Sequence, residues 1–87
     1  MLALVRRVAG APEGATWWRG LDLVAVARAA DPVAPLPTLD EERGETRLAA
    51  LVMTEAGHSQ KVTEARLGKH ARQISRWLDE QGGGCGA

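Results

Sequence analysis

The sequence predicts an all-α domain in which a long helix is followed by two short helices joined by a glycine turn, with an N-terminal segment that is also read as helical. Three observations carry this reading. Beyond residue 37, apolar side chains recur at three- and four-residue spacing, as Leu48, Leu51, Val52 and Ala56 and again as Ile74, Trp77 and Leu78. Hydroxyl residues and glycines stand where such helices would begin and end: Thr38, Gly57, Ser59 and Gly68. Before residue 31, alanines at positions 25, 27, 29 and 30 favour helix over strand.

The N-terminal segment, residues 1–31, is the least determined. Leu2-Ala3-Leu4-Val5 suits either a strand or a packed arm, and Ala9 to Ala15 reads as a turn or loop. Thr16 is placed to cap a helix over Trp17 to Ala30, on which Leu21, Val24, Ala25 and Arg28 share a face. On a regular element, adjacent Trp17 and Trp18 leave one ring largely exposed; around a bend, both can pack. Such pairs mark contact surfaces, so the segment is read as an arm for a protein partner or for dimerisation. Residues 32–37 follow as a stiff linker, because Pro32, Pro35 and Pro37 each remove an amide donor and extend the preceding residue.

Residues 38–81 carry the sharper signals. Thr38 with Glu41 forms a capping-box pattern at the head of a helix expected to run to Gly57, its early acids suiting the positive end of the macrodipole. Gly44 lies inside that span at a cost of about 1 kcal/mol relative to Ala, which marks either a close helix contact or a later start. Ser59 caps a short helix bearing Val62, Ala65 and Leu67, and Gly68 supplies the turn. The last helix runs from Ala71 to Glu80 with Ala71, Ile74, Trp77 and Leu78 on one face. Residues 82–87 are expected to form a flexible glycine-rich tail, in which the single cysteine, Cys85, has no partner for an internal disulfide.

Composition narrows the function. A chain of 87 residues supports one small core, so an enzyme with a deep pocket of its own is not expected. No apolar run approaches the roughly 20 residues of a membrane span, and the opening charges follow a short apolar run instead of preceding it, unlike a secretory signal. A cytoplasmic protein with no membrane partner is expected. His58 and His70 lack paired cysteines or carboxylates at ligand spacing, and Glu64 with His70 has no pocket to exclude water. Neither metal, cofactor nor catalytic group is therefore assigned.

A short helix, a glycine-centred turn and a second helix with one apolar and one basic face make the helix-turn-helix pattern. The ungapped stretch from Ser59 through Leu67-Gly68, Ile74 and Leu78 to Glu80 resembles the Fis-type helix-turn-helix, the family of a nucleoid protein and of the C-terminal domains of bacterial enhancer-binding activators. Extended back to Thr38, the resemblance covers about half the chain. It implies a homodimer paired through the long helix, at Leu48, Leu51, Val52 and Met53, with two recognition helices in successive major grooves. Two places depart from the family: Glu64-Ala65 replaces a pair of alanines, and Lys69-His70 replaces an apolar residue and a hydroxyl cap. The recognition helix is accordingly expected to begin less firmly.

Charge points the same way. Eleven cations offset eleven acids overall, yet from His58 to Leu78 five cations face the single acid Glu64, while from Thr38 to Gly57 five acids face two arginines. Arg72, Gln73 and Arg76 are expected at base edges, since Arg suits the paired acceptors of guanine and Gln those of adenine. Ser59, Gln60, Lys61, Lys69 and His70, near helix starts and the turn, are expected at phosphates. The sequence thus predicts a double-stranded-DNA-binding transcriptional regulator or DNA-organising factor of bacterial or phage type, associated with the nucleoid. The alternative is an interaction module that docks on a larger regulator or polymerase through Trp17 and Trp18.

Overall fold

Leu2-Ala3-Leu4-Val5 opens a helix, neither a strand nor an arm. In the computed structural model, which describes the backbone of residues 1–86 and the side chains of residues 1–80, helix α1 spans Leu2–Ala9. The N–H groups of Gly10 and Ala11 return to the carbonyls of Arg7 and Arg6 at 3.3 and 2.8 Å, closing the helix end. The backbone of residues 82–86, expected as a flexible tail beyond a helix end at Glu80, is instead helical, while the side chains of that stretch, with Cys85, lie outside the described residues.

The helix expected from Trp17 to Ala30 is instead a hairpin followed by a helix. Strands β1 (Trp17–Trp18) and β2 (Leu21–Asp22) pair antiparallel, Trp17 opposite Asp22 and Trp18 opposite Leu21. Between them Arg19 and Gly20 both take positive φ, 51° and 81°, the two-residue turn whose twist matches that of the strands. Any side chain at Gly20 would also meet the Arg43 guanidinium at 3.1 Å. Helix α2 (Leu23–Ala30) then starts at Asp22, not Thr16: the Asp22 carboxylate accepts from the N–H groups of Val24 and Ala25 at 3.1 and 3.2 Å. The tryptophans separate, with Trp17 58% exposed and Trp18 packed against the core.

The proline segment turns first and then extends. Asp31 caps that turn through its side chain to Val33 N–H and its carbonyl to Ala34 N–H, both at 3.1 Å. Helix α3 covers only Glu45–Glu55, so the expected long helix from Thr38 is eleven residues long. Gly44 explains the late start. Its φ of 93° cannot continue a right-handed helix, and Asp40 to Gly44 form a turn that leaves Thr38 outside any helix. Glu45, counted among the five acids of the segment, is buried; its carboxylate accepts the N–H of Asp40 on one oxygen and of Asp22 on the other, each at 2.8 Å.

Helices α4 (Gln60–Leu67) and α5 (Ala71–Gly86) complete a mainly helical fold with one small two-stranded sheet. The core joins Val5, Leu23, Val26, Ala29 and Ala30 to Leu48, Ala49, Val52 and Met53. Residues 1–31 are thus half of the core and not a separate arm. Helix α3 is the common partner, packing against α1, α2, α4 and α5, and the core it shares with α2 includes the fully buried small residues Ala29, Ala30 and Ala49. Among the described residues, no helix is long and apolar enough to cross a membrane.

The Glu45 carboxylate supplies a direct stability test. Glu45→Ala leaves two amide donors without their acceptor and is expected to cost about 3 kcal/mol, whereas Glu45→Gln, with one carbonyl oxygen left, loses about half of that. Urea unfolding midpoints measure both, and an alanine variant as stable as the parent would refute the assignment.

Candidate nucleic-acid interface

The C-terminal helices are held by capping groups from their own sequence. Ser59 begins α4 by accepting the Val62 N–H at 3.2 Å, and Gly68 ends it in the left-handed conformation. Thr63, not the expected Val62 and Ala65, is the buried residue of α4. Its hydroxyl donates to the Ser59 carbonyl at 3.0 Å, so the polar group is satisfied within the helix and can be buried. Val62 and Ala65 are consequently turned to solvent.

After Gly68-Lys69-His70, α5 begins on His70. The His70 carbonyl accepts from Gln73 and Ile74 N–H at 3.0 and 3.2 Å, and its Nδ1 accepts the Arg72 N–H at 3.2 Å. The imidazole therefore does what a hydroxyl cap does in the Fis-type pattern, correcting the expectation of a weaker helix start. Gln60, expected at a phosphate, pins α4 to α5: its Nε2 donates to the Ala71 carbonyl and to Ser75 Oγ, both at 3.1 Å. Ile74 is fully buried and fixes which face of α5 turns outward.

With Ile74 inward and successive residues 100° apart, Arg72 and Arg76 lie on the opposite face, and both are exposed. Ser75 and Asp79 flank them, also exposed. Gln73 does not join this face. It is half-buried and lines a hollow of about 370 Å³ with Glu41, Thr46 and Trp77, so its expected place at a base edge is not where the fold puts it. Ser75 was not among the expected contact residues, although the helical spacing from Ile74 places it beside Arg72 and Arg76.

Charges divide into those already engaged and those left open. Lys69 pairs with Glu41 at 2.5 Å, bracing the turn against the segment before α3 instead of standing free for phosphate. Arg66 is a structural clamp: its Nε donates to the Ala29 carbonyl at 2.9 Å, and its Nη2 donates to the carbonyls of Arg28 and Ala34. It thereby closes the C-terminal end of α2, where a cation suits the macrodipole. Glu80 receives Arg47 at 3.3 Å and, more loosely, Arg76 at 3.6 Å. Among the described residues, Lys61 and Arg72 have no carboxylate partner, and the Arg76 side chain remains 75% exposed. These exposed pairs are weak enough to exchange for a stronger acceptor.

The remaining expected sites resolve differently. Leu48, Leu51, Val52 and Met53 are buried within the chain itself, covered in large part by α1, α2 and the hairpin, so α3 has no bare apolar face for pairing; only the edges of Leu48 and Leu51 reach the floor of an open groove. That assignment presumed a long helix with one bare side, and the N-terminal half covers it. Among the described residues, no three His, Cys, Asp or Glu side chains gather as a metal site. No known protein family, curated protein or solved structure matches the chain.

The imidazole cap is testable by replacement. His70→Ala is expected to lower stability by about 1 kcal/mol, while His70→Ser, which restores a short acceptor, should stay close to the parent. Equal unfolding midpoints for the parent and the alanine variant would show that the imidazole contributes nothing to the helix start.

Proposed function

We propose that the protein binds duplex DNA with the exposed face of α5, as a helix-turn-helix transcriptional regulator or DNA-organising factor. The observation that carries this reading is the orientation of α5: Ile74 is buried while Arg72 and Arg76, one turn apart, face solvent together. A helix with its side chains is about 10–12 Å across and fits a major groove about 12 Å wide. Two guanidiniums so placed address the guanine edges of neighbouring base pairs.

The other groups take supporting roles. Ser59 and Lys61, at the start of α4, suit phosphate contacts, because a capped helix start still presents amide donors and positive potential. Gln60 and His70 hold α5 at its angle and act through position. Lys69 reaches a phosphate only by leaving Glu41, so DNA and the acidic turn compete for it. Pairing through α3 drops out of the proposal, and each chain offers one α5 to one groove segment. The resemblance of residues 59–80 to the Fis-type pattern adds to this reading through its motif residues alone.

Selection from a random duplex pool followed by anisotropy titration tests the proposal. Replacing both Arg72 and Arg76 by Ala is expected to weaken the selected duplex by about 1–3 kcal/mol per lost bidentate contact, with the fold intact by circular dichroism. Affinity should also fall with salt at a log-log slope near −0.9 per phosphate engaged. Gln73→Ala should leave sequence preference unchanged. A double arginine variant that binds as tightly as the parent would sink the reading.

A further inference from the structure

A second surface stands apart from α5. Between α1, the hairpin and α3 lies an open groove of about 280 Å³ whose floor is aliphatic, including Val8, Leu48 and Leu51. Three arginines line it: Arg19 from the hairpin turn, Arg43 from the turn before α3, and Arg47 from α3 itself. Among the described residues, no carboxylate lines it.

The arginines are engaged in part only. Arg43 donates from Nη1 to the Gly20 carbonyl at 3.3 Å and places Nε 3.2 Å from Asp40, while Arg47 meets Glu80 at 3.3 Å through Nη2. Arg19 lies over the Trp18 ring at 5.5 Å. Each guanidinium carries five N–H donors, so most of this donor capacity is unspent, and the existing carboxylate partners sit in exposed pairs that exchange readily. Trp18, which also lines the groove, keeps its indole N–H buried without an acceptor among the described residues. The site therefore combines a narrow aliphatic floor with guanidinium donors in exposed, exchangeable pairs and one cation, Arg19, that has no carboxylate partner among the described residues.

We propose that this groove docks an acidic, amphipathic segment of a partner protein, its aliphatic side chains on the leucine floor and its carboxylates on Arg19, Arg43 and Arg47. The charge complement and the floor select this occupant together. A sugar-phosphate backbone would satisfy the arginines and leave the leucines unused, whereas a purely apolar segment would meet three cations at the rim. The short left-handed turn at Arg19-Gly20 presents the first cation at the mouth of the groove without burying it. This surface touches α5 only through the Arg47–Glu80 pair and shares no residue with the Arg72 face.

Selection of a random peptide library on the full-length chain tests the proposal. Binders enriched in Asp or Glu beside Leu, Ile or Met are expected; enrichment of basic or uncharged sequences, or none at all, overturns it. A synthetic copy of the selected peptide should bind the parent at least about tenfold more tightly than a variant carrying Arg19→Asn and Arg47→Gln. Asn-Gly is a favoured pair for this turn and Gln a good helix former, so the variant retains the fold, as circular dichroism will verify. Arg72→Ala, which removes no partner of the groove arginines, should leave peptide binding unchanged, which separates this site from the DNA-reading face. Equal peptide affinity in the Arg19/Arg47 variant, or a loss of duplex-DNA affinity in that variant as large as its loss of peptide affinity, overturns the assignment, the latter by making the rim a phosphate surface.

Discussion

The fold depends on how α2 is gripped at its two ends. Glu45, from the first turn of α3, accepts the Asp22 N–H just ahead of α2, and Arg66, from the last turn of α4, donates to the carbonyls of Arg28 and Ala29 at its other end. Each charge is of the sign that the adjacent helix end favours. Each also reaches further: Glu45 to the Asp40 amide and Arg66 to the Ala34 carbonyl, so the stretch from Ala34 to Asp40 is tied at both ends by the same two side chains. A buried carboxylate or a part-buried guanidinium is costly to desolvate unless its hydrogen-bonding capacity is used, and here backbone groups use it. The result is that α4, and with it the start of α5, has its position set by the N-terminal half.

That dependence gives the neutral net charge a structural meaning. The acids of the middle segment are not a repelling surface set against a basic end; Glu41 braces Lys69, Glu45 is buried, and Asp40 holds Arg43. Of the five cations between His58 and Leu78, Arg66 and Lys69 are engaged in holding the fold. What remains toward solvent is a narrower group, Lys61, Arg72 and Arg76, whose geometry is fixed by Ile74, Gln60 and His70. A small charged patch on a rigid helix favours contacts made in register over diffuse attraction.

Sequence patterning exposed the C-terminal half well because its signals are local. Ser59, Gly68 and Ile74 each act within a turn or two of their own position, and the helix ends and the inward face follow from them. The N-terminal half hid its structure in turn chemistry. Arg19 gives no sign that it will take positive φ, so Trp17 to Ala30 looks like one alanine-rich helix until the Arg19-Gly20 turn and the Asp22 cap divide it. Gly44 did signal a later helix start, but the capping pattern at Thr38 argued against it. Burial of Glu45 and Thr63 was illegible for a different reason: both are polar, and their burial depends on acceptors and donors that only the assembled chain brings together. The covering of Leu48, Leu51, Val52 and Met53 followed the same logic, since a helix face reads alike whether its partner is another chain or another part of its own.

The buried alanines have a consequence for how this chain can vary. Ala29, Ala30 and Ala49 are fully buried in the core that α2 and α3 share, where shortening a residue removes little volume and lengthening one finds no solvent to enter. At these three positions the core is sensitive to growth, whereas at Leu23, Val52 and Met53 it is sensitive to loss. An added branch on the alanines of α2 would strain a helix already held at both ends by Glu45 and Arg66, so neutral drift there is confined to the smallest side chains, while larger aliphatic positions can trade one shape for another of similar volume.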